Sequence, residues 1–261
     1  MFLQGGSKIF DIPGFPPPAL IIVGLIIFLA ALVKGVAGMG FPLIAVPLVA
    51  NVVGPHAAVI IVAVPTVVSN AYMVLQGGGS PARFRQFVWL GVGLILGAVA
   101  GARLMHLMNT RVLALILGAL AVGYAGASLI QIPLRIPFAA QPAMGAGIGA
   151  AAGLLGGSTT IYAPLLAAYL DSMRLARDEF VFWITALFLV GTSAQVVTYI
   201  QLGIYRGALL WVPLLLCVPM LAGTWMGIRL RERLSHDRFR TLVLLLVLAS
   251  GFNLLGRALW R

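Results

Sequence analysis

The chain has 261 residues, 61% of them hydrophobic and 9% charged, with a mean hydropathy of +1.08 and a formal net charge of +11. Soluble domains carry roughly 25% charged residues, so this composition excludes an ordinary water-facing fold and a large soluble domain. The basic residues lie mostly between or just beyond apolar runs, where they meet lipid headgroups and set topology, which argues for membrane lipid and against nucleic acid as the partner.

A spanning helix needs about 20 apolar residues. Residues 1–18 form a short leader ending in Pro16-Pro17-Pro18, which holds back any earlier helix start. Apolar segments follow at about 19–50, 56–76, 87–107, 112–131, 139–170, 180–201, 207–228 and 238–257. The first is too long for a cleavable signal peptide and is followed by further spans. Segments 19–50 and 139–170 exceed one simple span: a helix of 32 residues reaches about 48 Å against a hydrocarbon core of about 30 Å. Each must be strongly tilted, broken or folded back.

The two long segments each open a set of four, which points to an internal duplication. Thr66 and Thr192 are 126 residues apart, and so are Gly97 and Gly223, Gly101 and Gly227, and Arg103 and Arg229. The fold class is therefore an all-α integral membrane protein of about eight transmembrane segments, built as repeat 1 (19–137) and repeat 2 (138–261), the first segment of each broken or re-entrant. Four spans per half is even, which predicts parallel repeats related by an axis along the membrane normal. The same parity is expected if both long segments fold back. The positive charges divide seven against nine between the two sides. The dense cluster RLRERLSHDRFR at 229–240 suits a cytoplasmic loop, with both termini outside.

Lys34 is the only charged side chain between Ala19 and Pro55. A lone ammonium at membrane depth is expensive and marks a functional site by default. Around it stand Gly35, Gly38, Gly40, Phe41 and Pro42. Glycines let the backbone leave the helix and approach a ligand, and Pro42 suits the first turn of a new helix. A helix restarting there aims free N–H groups at an anion. The bland alternative is a snorkelling lysine among packing glycines.

The equivalent segment has Gly153, Gly156, Gly157, Ser158, Thr159, Thr160, Tyr162 and Pro164. Here hydroxyls replace the charge and can donate to an anion. Alternatively, the Ser and Thr side chains bond back to helix carbonyls. Paired Gly/Pro interruptions in two halves are the best sequence pointer to a transporter's central site. Thr66, Ser69 and Asn70 in one half, and Thr192, Ser193 and Gln195 in the other, are polar groups in apolar surroundings. They suit substrate contact or interhelical hydrogen bonding. Arg103 and Arg229 fall near span ends, which suits an interfacial structural role.

All six acidic residues lie outside the apolar cores. Cation and proton pumps need a buried carboxylate, whereas an anion carrier does not. The single cysteine, Cys217, reads as a buried small hydrophobe. No cofactor, metal site or phosphate loop is expected. Gly156-Gly157-Ser158 has no histidine within any later span to serve as base, so an enzyme is not expected.

The order and spacing of KGxxGxGFPLIAVPLV near the start and GLLGGSTTIYAPLL at mid-chain resemble the TauE/SafE family of membrane transporters. The likeness covers nearly the whole chain from about residue 20. It departs at Met39, which stands between Gly38 and Gly40. The resemblance implies transport of sulfite, organosulfonates or related sulfur-containing anions across the bacterial inner membrane. The expected function is a secondary exporter working by alternating access, with the two breaks as its site. The alternatives are a passive anion channel and an uptake permease for sulfonates or other small organic anions. A homo-oligomer is compatible with either.

Overall fold

A computed structural model describes residues 17–37, 40–77, 83–130, 142–230 and 236–260. The leader before residue 17, Gly38, Met39 and residues 231–235 of the basic cluster lie outside them. Among the described residues the chain is all-helical, with ten helices. These are α1 (Pro17–Ala37), α2 (Phe41–Val53), α3 (Pro55–Leu75), α4 (Phe84–Leu107), α5 (Thr110–Ile130), α6 (Pro142–Thr159), α7 (Ala163–Ser172), α8 (Arg177–Gln201), α9 (Ala208–Leu230) and α10 (His236–Leu259). Six of them, α1, α3, α4, α5, α8 and α9, are long and apolar enough to cross a membrane. Large apolar side chains stand exposed on their outer faces. On α9 these are Trp211, Leu214, Leu215, Val218 and Trp225, a stripe suited to lipid.

Both long segments are broken. Segment 19–50 divides into α1 and α2, and segment 139–170 into α6 and α7. Gly40, with φ of +101°, precedes α2, and Pro42 sits in that helix's first turn, where its missing N–H costs nothing. Thr160, with φ of +64°, lies between α6 and α7.

Close backbone approach sets helix directions. Gly93, Gly97 and Gly101 of α4 lie against the Ala146, Ala150 and Leu154 backbone of α6, while Gly149, Gly153 and Gly157 of α6 lie against α4. A Cβ at Gly97 would come within 2.8 Å of the Leu154 nitrogen. Such small-residue seams are how membrane helices approach closely. Contacts advance together along both chains, so α4 and α6 are parallel. The same holds for α1 and α9, where Gly223 meets Phe28 and Gly227 meets Gly35. It holds too for α4 and α8, where Arg83 pairs with Glu179 at 3.1 Å and the Phe87 and Trp183 rings stack. By contrast α5 and α10 are antiparallel: Gly118 faces Leu255, whereas Ala121 and Val122 face Gly251.

These directions correct the parallel-repeat expectation. Helices α5 and α10 close the two halves from equivalent places, yet they run oppositely. The reason is parity. Each long segment breaks into two helices and adds one reversal, giving five helices per half, and an odd number turns the second half over.

Side-chain contacts order the ends. His56 Nε2 lies 3.1 Å from the Met108 carbonyl, and the Tyr205 hydroxyl donates to Ile60 at 3.2 Å. The start of α3 therefore sits beside the α4–α5 and α8–α9 turns. Asn51, near the end of α2, donates to the Ser250 hydroxyl of α10 at 2.7 Å. At the other face the starts of α4 and α8 meet through Arg83 and Glu179. One buried core is built mainly from α1, α2, α3, α5, α9 and α10, and a second from α4, α6, α7 and α8.

Candidate functional site

Helix α1 carries Lys34 in its last turn, where the side chain is only 1% exposed. It is enclosed because Gly35 brings α1 onto α9: a Cβ at Gly35 would come within 2.8 Å of the Gly227 Cα. Gly35 is thus a contact point between helices. The Lys34 ammonium donates to Asn70 Oδ1 on α3. Asn70 is fully buried, and its Nδ2 has no hydrogen-bond partner among the described residues. Beside it, Ser69 Oγ lies 3.5 Å from Thr224 Oγ1 of α9, and both residues are fully buried. The second contact of the Thr224 hydroxyl is the Met220 sulfur at 3.7 Å, a weak acceptor. Phe41 and Pro42 are buried just beyond the break.

The second break makes a different cluster. Gln195 Nε2 of α8 reaches the Gly157 carbonyl at 3.0 Å, Thr160 Oγ1 at 3.0 Å and the Tyr199 hydroxyl at 2.9 Å. Tyr199 donates to the same Gly157 carbonyl at 3.2 Å. The Tyr162 ring fills a notch between Gly156 and Gly191, and its hydroxyl donates to Gly191 O at 3.0 Å and Gln195 Oε1 at 3.2 Å.

Several hydroxyls are committed to the backbone. Ser158 and Thr159 donate to the Leu155 carbonyl at 2.9 and 2.6 Å. Thr66 donates to Val62 O at 2.7 Å, and Thr192 to Phe188 O. Thr160 donates to the Val59 carbonyl of α3 at 3.1 Å. In this conformation these groups turn lone pairs, not protons, towards their surroundings.

The structure does not bring all the candidates into one cage. Lys34 meets α3 at Asn70 and Thr160 meets it at Val59, eleven residues away, or about 16 Å along the axis. Thr66 lies on the same face of α3 between the two. Gly38 lies outside the described residues. Thr224 and Tyr199 were missed by the sequence reasoning. Thr224 had a signal, as a hydroxyl between Gly223 and Gly227 in an apolar span, but nothing tied it to Lys34. Tyr199, near the end of an apolar span, carried no such signal. Of the two arginines, Arg103 is exposed and Arg229 lies 3.9 Å over the Trp225 ring, as interfacial residues do.

A family model described as "Sulfite exporter TauE/SafE" matches residues 23–254. The chain belongs to the TauE/SafE family. The match takes in both hairpins and every helix bar the ends of the first and last. No curated protein and no solved structure gives a significant match. TauE/SafE proteins are membrane transporters, which agrees with the apolar spans here. Among the described residues no group of three or more His, Cys, Asp or Glu side chains converges.

Proposed function

We propose that this TauE/SafE protein is a secondary transporter of small sulfur oxyanions or sulfonates, exporting them across the bacterial inner membrane. One observation carries the sign of the cargo. Lys34 is buried inside the helix bundle, and its hydrogen-bond partner is a neutral amide. A buried charge without a counter-ion is costly, and an anionic cargo offsets that cost while it is bound. Glu179 does not compete, since its carboxylate pairs with Arg83 at the start of α8.

The helix directions supply a mechanism. The halves, α1–α5 and α6–α10, form an inverted repeat, each opening with a hairpin. The α6–α7 tip meets α3 about 6 Å from its start, and the α1–α2 tip meets it about 8 Å from its end. The tips thus lie near opposite faces. Each closes one end of a path along α3 and α8 past Thr66 and Thr192. Opening one hairpin while the other stays shut gives alternating access. Lys34 is the cationic station, and Gln195, Tyr162 and Thr160 hold the second hairpin shut.

Purified protein in proteoliposomes should move labelled sulfite down its gradient without large currents, and Lys34→Ala should lose that flux while staying folded. Unchanged flux in the variant removes Lys34 from the site. Voltage-driven currents far above carrier turnover would make the protein a channel.

A further inference from the structure

The proposed site leaves one group unexplained, the Asn70 carboxamide. Its orientation is fixed by chemistry. An ammonium has protons to give and no lone pair, so only the carbonyl oxygen of Asn70 can face Lys34. The amide nitrogen must then point away, where it is fully buried and without a partner among the described residues. Leaving such a donor unmade costs about 1–3 kcal/mol. Two of the three ammonium protons likewise have no acceptor among the described residues. Lys34 and Asn70 therefore hold N–H donors side by side on two different nitrogens. The Thr224 hydroxyl, 3.5 Å from Ser69 Oγ and 3.7 Å from the Met220 sulfur, lies beside the residue that precedes Asn70.

We infer that Asn70 is the specificity-determining residue of the anion site, binding a second oxygen of an oxyanion whose first oxygen is bound by Lys34. This rests on the transport function proposed above and adds a chemical class to it. Two adjacent donor nitrogens match an anion with at least two oxygens on one central atom, as in sulfite and sulfonates. A halide presents a single centre and satisfies one donor while stranding the other. Discrimination of this kind is strong because the rejected ligand leaves a buried polar group unpaired. Asn70 also positions the lysine, so one side chain both aims the charge and reads the cargo.

The test is equilibrium binding of sulfite and of chloride to the purified full chain at matched ionic strength. Wild type should favour sulfite. Asn70→Leu removes both amide roles at similar size. It should weaken sulfite by about 10- to 100-fold, the range for a hydrogen bond to a charged group, and barely change chloride. Asn70→Asp keeps an acceptor for Lys34, and so the fold, but removes both amide protons and adds a negative charge; it should abolish sulfite binding. If Asn70→Leu does not fold, Asn70→Asp decides. Sulfite affinity within threefold of wild type in the folded variants, with binding lost in Lys34→Met, overturns the role of Asn70 and leaves the transport reading standing. Equal wild-type affinity for sulfite and chloride also overturns it. If wild type binds no oxyanion while remaining folded, the transport reading falls and this inference with it.

Discussion

Replacing Lys34 with methionine separates binding from folding. Methionine keeps the length and most of the volume, so no large cavity opens, unlike the alanine change. Two effects on stability oppose each other. Removing a buried charge that has no counter-ion relieves its desolvation, and apolar replacement of buried ions is often neutral or stabilising by about 1–4 kcal/mol. Against this, Asn70 Oδ1 loses its donor in a fully buried place, which costs about 1–3 kcal/mol. The net change should lie near zero. Anion binding has no such cancellation. Unit charges about 4 Å apart at an effective dielectric of about 20 attract by about 4 kcal/mol, and a charged hydrogen bond by itself is worth about 1.5–3 kcal/mol. A loss of about 2–4 kcal/mol weakens sulfite roughly 30- to 1000-fold. Thermal melting in detergent and sulfite binding, measured on one preparation, read the two quantities. A variant that binds sulfite like wild type refutes the reasoning. A variant that melts far below wild type shows that Lys34 serves the fold instead.

Four further outcomes follow from the packing and hydrogen bonding. Gly97→Val should destabilise by about 1–3 kcal/mol or more, because its Cβ meets the α6 backbone within 2.8 Å. On the same helix Gly91→Ala, with nothing within 4 Å, should be neutral or slightly stabilising in the same denaturation assay. Tyr162→Phe keeps the ring in its notch but strands Gln195 Oε1, a loss of about 1–3 kcal/mol. Hydrogen exchange at residues 156–166 should rise with it, and unchanged exchange would separate Tyr162 from the second hairpin's closure. Gly40→Ala has open space but forces φ of +101° on a side chain, so about 1–2 kcal/mol of strain should appear as a lowered melting temperature.

Composition made the helical membrane class legible, because a chain this apolar has few other ways to satisfy its backbone. The helix breaks were legible too. A segment of 32 residues cannot cross a 30 Å core straight, and Gly40 with Pro42 marked where it would turn. The direction of the second half was not. Parity depends on whether the chain folds back at the break, and α2 and α7, with 13 and 10 residues, are too short to announce themselves as separate passes. The match of Gly97 with Gly223 was visible at constant spacing, but its meaning appears only in space: each glycine seats the first helix of the opposite half, α6 on α4 and α1 on α9.

That exchange bears on how the two hairpins work. Each half presses its fourth helix against the first helix of the other, so neither hairpin stands on its own half alone. Gly101 meets the α6 backbone within four residues of Gly157, whose carbonyl is held by Gln195 and Tyr199. Gly227 meets Gly35, next to Lys34. A shift of α4 along its glycine seam would reach the second tip, and a shift of α9 would reach the first. In the transport cycle proposed above, Lys34 and the Gln195 cluster stand beside these glycine seams, where a small helix shift would change which tip is open.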